Sequence, residues 1–257
     1  MVGKNKLGTQ SGVENLLKSF GPLRLLVPTA AAETADLLRK AATTSDLITI
    51  SGGEPDQIGC NIQCKGVQLN ISVETDAGDI SGFKNVFCNI DQNLVGSAVS
   101  IQLGNHVEGG DRVAPILKAM LSAAAIIGQI TGAFGVMWVP ARTISGFDFY
   151  VRGVTDYDEG GVFPVLALVN FKKCDDGNVR STGLEWLTGQ ELVAAQSNWS
   201  DAELMRRIVR VAHDLAVGGA VTGETELPGI EAGERIILTP DIANRTLKMQ
   251  TVATLVQ

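Results

Sequence analysis

The sequence predicts an α+β fold, and three observations carry the prediction. Apolar residues alternate at period two through residues 58–73, broken only at Lys65-Gly66. Two longer stretches, 113–129 and 201–218, repeat their apolar residues at helical spacing. Strand-like runs arise both as hairpins and as strand–helix–strand crossovers, which favours mixed sheets over the strict alternation of a doubly wound chain.

Taken in order, residues 23–27 (Leu-Arg-Leu-Leu-Val) read as a strand ended by Pro28. A helix capped by Thr29 follows, with Ala30, Leu37, Leu38 and Ala41 as its apolar side. Residues 47–50 form a short strand, and 51–55 turn the chain. A two-residue turn at Lys65-Gly66 pairs Cys64 with Val67, Ile62 with Leu69, Cys60 with Ile71 and Ile58 with Val73. Every apolar residue then falls on one face. Residues 74–93 read as a long connection. The rhythm then restarts. Val99, Ile101 and Leu103 alternate, Asp111 caps a helix running to about Gln129, and residues 134–139 form a buried strand closed by Pro140. Residues 162–174 and 179–187 read as a hairpin about the turn 175–178. Ser200 and Glu203 make a capping box for a helix whose stripe is Leu204, Ile208, Val211 and Leu215, ended by Gly218-Gly219. Strands at 234–238 and 247–256 complete the chain. The expected organisation is a segment 1–21, a first α/β subdomain 22–93 and a larger one 94–257, or one continuous domain. Each half would hold a strand–helix–strand plus hairpin unit, as a pseudo-duplicated sheet with helices on one face.

Composition excludes whole classes of function. Hydrophobic residues are 45% and charged residues 19% of the 257, an ordinary globular balance rather than a disordered or fibrous one. A net charge of −7 repels phosphate backbones and anionic lipid, so nucleic acid and membranes are not expected partners. Residues 119–141 carry no charge, but they divide into a helical and a strand-like period and read as a core helix feeding a core strand. The first 21 residues lack an apolar core of signal-peptide length. Cys60 and Cys64, four apart on one strand, are about 13 Å apart at about 3.3 Å per residue, too far to bridge. They are not Cys-x-x-Cys either, so all four cysteines are expected as the reduced thiols of a cytoplasmic protein.

Chemistry is sparse. The chain has no glycine-rich phosphate loop, no nucleophile elbow and no His-Glu-x-x-His. Its only histidines are His106 and His213, the latter expected at the surface. The acidic clusters 74–79, 156–159 and 175–176 lack calcium-loop spacing. No metal and no cofactor are therefore expected, and no catalytic residue is assigned. A ligand site, if there is one, is placed where the loop 104–111 meets the segment 142–148. A right-handed crossover makes the preceding strands parallel and brings both loops to one sheet edge. His106, Arg112, Arg142 and Ser145 would converge there beside a helix N-terminus suited to an anion.

From residue 94 to 195 the order of features resembles a bacterial family known as domain of unknown function 4261. The matching segments are residues 99–103, the helix leading into Val136-Met137-Trp138-Val139-Pro140, the run 163–171, and 181–192. The most specific string is Thr182-Gly183-Leu184 followed by Gly189-Gln190-Glu191-Leu192. The resemblance implies a bacterial origin and supplies no catalytic residues.

The resulting expectation is a cytoplasmic binding or interaction protein, such as one neutralising a basic partner. Its partner would be a protein or a small anionic ligand, and homo-oligomerisation is left open. The alternative is a hydrolase with an acid- or metal-assisted site drawn from His106, Asp148, Asp156, Asp158 and Glu191.

Overall fold

In the computed structural model, residues 17–46, 48–50, 59–78, 80, 82–110, 112–195 and 199–253 are described. They fall into two compact units, Met1–Val162 and Phe163–Gln257. Both are α+β.

The first unit is built on an eight-stranded sheet. Its strands are β1 (Leu23–Val27), β2 (Ile48–Ile50), β3 (Gly59–Cys64), β4 (Val67–Glu74), β5 (Lys84–Val86), β6 (Ser97–Leu103), β7 (Gly135–Trp138) and β8 (Thr143–Gly146), ordered β2-β3-β4-β6-β1-β7-β8-β5. The β3–β4 register is the expected one: Cys64 opposes Val67, Ile62 opposes Leu69 and Cys60 opposes Ile71. The expected partner Ile58 lies outside the described residues. Lys65 and Gly66 both take positive φ (50° and 78°), the conformation a two-residue turn needs to match strand twist. Burial pushes the Cys60 thiol up to about 11, so it is an inert packing group.

Period two sorts the central strands into two faces. Leu23, Leu25, Ile71, Val99, Ile101, Val136 and Trp138 share one face and are all buried. Helices α1 (Ala31–Ala42) and α2 (Ala114–Thr131) pack against β1, β4 and β6. By length and composition α2 could cross a membrane. Here Leu117, Met120, Leu121, Ala124 and Ile127 are buried in the unit's core. It also meets α3 (Phe147–Asp158) closely, since a Cβ at Gly128 would lie 2.1 Å from the Phe147 ring.

The other face holds Arg24, which is 1% exposed. Its guanidinium donates to Ser100 Oγ (3.2 Å), to the carbonyls of Ala77 (2.6 Å) and Asp76 (3.2 Å), and to the Glu74 carboxylate. Ser100 and Ser72 hydroxyls also donate to Glu74, at 2.5 and 3.2 Å. Burial pulls the guanidinium below its ordinary value, and Glu74 opposes that pull. Around this network Leu26, Ala77, Ile80, Ala98, Met137 and Ile144 cluster, with Phe83, Ile90, Val95 and Phe134 packed against them. The connection after β4 is thus the second cover of the sheet, rather than a loose link.

The second unit has a six-stranded sheet, β12-β13-β14-β11-β10-β9. These strands are β9 (Asn170–Lys173), β10 (Val179–Thr182), β11 (Glu191–Ala194), β12 (Thr225–Pro228), β13 (Glu234–Asp241) and β14 (Thr246–Ala253). Helices α4 (Val165–Leu168), α5 (Leu184–Thr188) and α6 (Asp201–Gly218) complete it. The Ser200–Glu203 capping box is present, and Leu204, Ile208, Val211 and Leu215 are buried as expected. Arg207, on the same stripe, is also buried and forms a two-pronged pair with Glu234. Its guanidinium lies 3.8 Å from the Trp199 ring centre. Gly183 and Gly189 bracket α5 at φ 94° and 85°, where a side chain would be strained.

Several sequence expectations change. The chain divides after Val162, not near 93, because β4 pairs directly with β6 across that point. β6 and β7 run parallel as expected but are not adjacent, since β1 lies between them, antiparallel to both. The hairpin at 162–187 belongs to the other sheet. Within it, Pro164 precedes a helical turn and only Asn170–Lys173 is strand, while Gly183 ends β10 early. Residues 143–148 are β8 and the start of α3 rather than a loop. α1 is capped at Ala30 without a side-chain bond; the Thr29 hydroxyl meets that of Thr34 at 2.8 Å. Its buried residues are Thr34, Ala35 and Leu38, whereas Ala30 is exposed. α2 begins at Ala114, beside Pro115, and Asp111 lies outside the described residues.

Three outcomes follow from this packing. Arg24→Ala, which strands Glu74, lowers the urea-unfolding free energy of the first unit by about 3 kcal/mol. Gly128→Ala forces α2 and α3 apart and costs about 1–3 kcal/mol in the same assay. Burial alone would raise the Glu234 carboxyl, but Arg207 and the Ile230 and Glu231 N–H groups (2.8 and 2.9 Å) hold it below the usual range. A lowered folded value stabilises above the ordinary glutamate pKa of about 4.3 and is lost as pH falls through it. The stability gap between wild type and Glu234→Gln therefore narrows from about pH 6 to about pH 3.

Candidate binding face

The six-stranded sheet buries one face only. Val179, Ser181, Leu192, Ala194, Ile236, Leu238, Leu247 and Met249 are buried, and α6 and α5 pack against β11. The alternate residues point to water, the usual state of an antiparallel sheet covered on one side. Register places them in transverse rows. Lys172 opposes Arg180, Arg180 opposes Val193, Val193 opposes Lys248, and Lys248 opposes Thr239. One row therefore holds three cations, with the small apolar Val193 between Arg180 and Lys248.

A groove of about 550 Å³ opens along this row. Its walls include Asn178, Asp241, Asn244, Thr246 and Gln250, and Val193 and Ala195 contribute apolar surface. Two aspartate turns flank the groove. Asp176 accepts from the Asn178 N–H and side-chain amide, both at 3.0 Å, and from Arg180 at 3.1 Å. Asp241 accepts from the Asn244 N–H (3.3 Å) and amide (3.0 Å), and lies 3.7 Å from Lys248 Nζ. The Asn178 backbone bond and the Arg180 bond hold the Asp176 carboxyl below its ordinary value, and the Asn244 bonds with Lys248 do the same for Asp241. Arg180 is raised in turn by Asp176. Both aspartates stay ionised at neutral pH.

The residues expected to share a cleft are dispersed. His106 is exposed on a 3₁₀ turn, where its Nε2 accepts the Gln68 N–H of β4 at 3.4 Å. Arg112 is exposed ahead of α2. Arg142, at φ 53°, faces Gly82, and its carbonyl accepts the Lys84 N–H at 2.8 Å. Ser145 is 1% exposed on β8. β4 and β8 are separated by β6, β1 and β7, so roughly 19 Å of sheet separates Gln68 from the strand after Arg142, at about 4.8 Å per spacing.

Within the alternative acidic constellation, Asp158 and Glu191 are tied up in packing. Asp158 accepts from Ser122 Oγ (2.7 Å) and pairs with Lys65 (3.4 Å) and Lys118 (3.9 Å). Asp148 and Asp156 are exposed. Glu191, in the second unit, accepts from Ser181 Oγ and from the Gly183 N–H (2.7 Å), pinning the turn into α5. Burial raises its carboxyl, and those hydrogen bonds counter the rise. Among the described residues, no group of three or more His, Cys, Asp or Glu could hold a metal ion. His213 departs from expectation: it is half-buried, and its Nδ1 accepts the Phe163 N–H at 3.2 Å.

No family model, no curated protein and no solved structure matches the chain.

Arg180 and Lys248 are half-exposed or more, and they pair at the surface with half-exposed Asp176 and partly buried Asp241. Replacing either by Ala changes unfolding free energy by less than about 0.5 kcal/mol in a urea titration. That outcome would show that neither side chain holds the fold together.

Proposed function

We propose that this protein is a cytoplasmic binding protein without catalytic activity, and that it takes a small anionic ligand on the open face of the β9–β14 sheet. The observation that carries the reading is the groove over Val193, lined by the cations Arg180 and Lys248, by side-chain amides that donate without adding charge, and by one carboxylate, Asp241, already engaged by Asn244 and Lys248. The net charge of −7 supports a basic protein partner as well, but it is spread over the whole chain, whereas the groove places particular donors at one point. The likeness of residues 94–195 to the bacterial family named above stands as part of this proposal and adds no activity to it.

Thermal unfolding against a panel of small dicarboxylates and phosphates tests the reading. A ligand that binds the folded protein alone raises the midpoint with concentration, by about 2.7 kcal/mol of stability at a hundred times its Kd. Val193→Trp, which fills the groove floor, is expected to abolish the rise. A midpoint that no anion moves, or one moved equally in Val193→Trp, overturns the proposal.

A further inference from the structure

We propose that the groove is a two-point anion site that the chain masks with its own carboxylates. This rests on the binding reading above and deepens it. The ligand would carry two anionic groups, one for Arg180 and one for Lys248, and Asp176 and Asp241 fill those places when the ligand is absent.

The two sides of the groove share one logic. On each, an aspartate is fastened by an asparagine of its own turn, Asn178 for Asp176 and Asn244 for Asp241, through both a backbone N–H and a side-chain amide. The same carboxylate reaches the groove cation on that side, at 3.1 Å for Arg180 and 3.7 Å for Lys248. When the cation swings to a ligand, the aspartate keeps its asparagine bonds and is not stranded. Exposed ion pairs of this kind are weak, so the exchange is easy. Between the cations, Val193 leaves a floor without charge or hydrogen-bonding side chain. The backbones bearing Arg180 and Lys248 are two strand spacings apart, about 9.6 Å. Both side chains are long enough to converge over that floor. Arg180 offers a planar fork that grips a carboxylate or phosphate with two parallel bonds, and Lys248 supplies a point charge. An ion with one charge satisfies only one side; glutarate and inorganic pyrophosphate satisfy both.

Masking makes a prediction opposite in sign to ordinary site mutagenesis. Removing acidic charge next to the groove without removing the turn strengthens binding. Asn in place of Asp still accepts the turn's N–H bond, so Asp176→Asn and Asp241→Asn leave the backbone in place. Calorimetric titration of the full chain with pyrophosphate and with glutarate, acetate being the single-charge control, is run on four proteins: wild type, the double Asp176→Asn/Asp241→Asn variant, the double Arg180→Gln/Lys248→Gln variant, and Val193→Trp. Circular dichroism checks that each is folded. The expected result is binding of at least one dianion by wild type, about fivefold tighter in the double Asn variant, at least tenfold weaker in the double Gln variant, and acetate weaker than either dianion. Whichever dianion binds more tightly names the source, phosphate or carboxylate. Unchanged or weaker affinity in the double Asn variant overturns the masking. Binding that survives in the double Gln variant but fails in Val193→Trp overturns the two-point site and leaves the groove as a binding site. No binding of either dianion by wild type or the double Asn variant overturns both readings.

Discussion

A guanidinium in the middle of a sheet constrains everything stacked on it. Arg24 stands on β1, the strand between β6 and β7, with nothing but strand neighbours on either side. A charge there needs partners within reach and out of water, and the sheet itself supplies Ser100 and Glu74. The remaining acceptors are the carbonyls of Asp76 and Ala77, which lie on the chain leaving β4. The route of that connection across the second face is set by these bonds. Once it is there, Ala77, Ile80, Phe83 and Ile90 have a surface of Leu26, Ala98, Met137 and Ile144 to cover. One polar side chain thereby specifies where an apolar layer lies.

The second unit uses a buried arginine differently. Arg207 projects from a helix, and its partner Glu234 begins a strand. The carboxylate also collects the N–H groups of Ile230 and Glu231, so the tight bend before β13 and the helix are held by one group. In both units the ion pair fixes geometry more than it adds stability, because desolvation offsets much of the attraction. The open face of the second sheet is the converse case: its Arg180–Asp176 and Lys248–Asp241 pairs lie at the surface, where such pairs are weak and exchange easily.

The parts of the fold legible in the sequence are those decided within a few residues. The β3–β4 register follows from period-two alternation about Lys65-Gly66, and the start of α6 follows from Ser200 and Glu203. Four-residue strands such as β8 and β11 carry too few residues for any period to register, and Pro164 broke a run that looked uniformly strand-like. Arg24 sat in an evident strand, yet nothing local says that its partners are 50 to 76 residues away. The candidate site was hidden for the same reason. Asp175-Asp176-Gly177-Asn178 was readable as a turn, but Arg180 and Lys248 come to flank Val193 in one row only through the pairing of β11 with β10 on one side and, in parallel, with β14 on the other. Outward-pointing cations on alternating strands were the available signal, and they mean little until strand order is known.

That parallel pairing also sets an order of events during synthesis. β14 lies between β11 and β13, so a nascent chain that has not yet reached residue 246 holds two separate pieces, β9–β11 and β12–β13, whose inner edges have no partner. Unpaired edges of this kind invite association with other chains. The first sheet has the reverse arrangement: β1 is made early and waits for β6 and β7 to enclose it. The two units thus expose their unfinished edges at different stages of translation, the first while its opening strand waits and the second until its closing strand arrives.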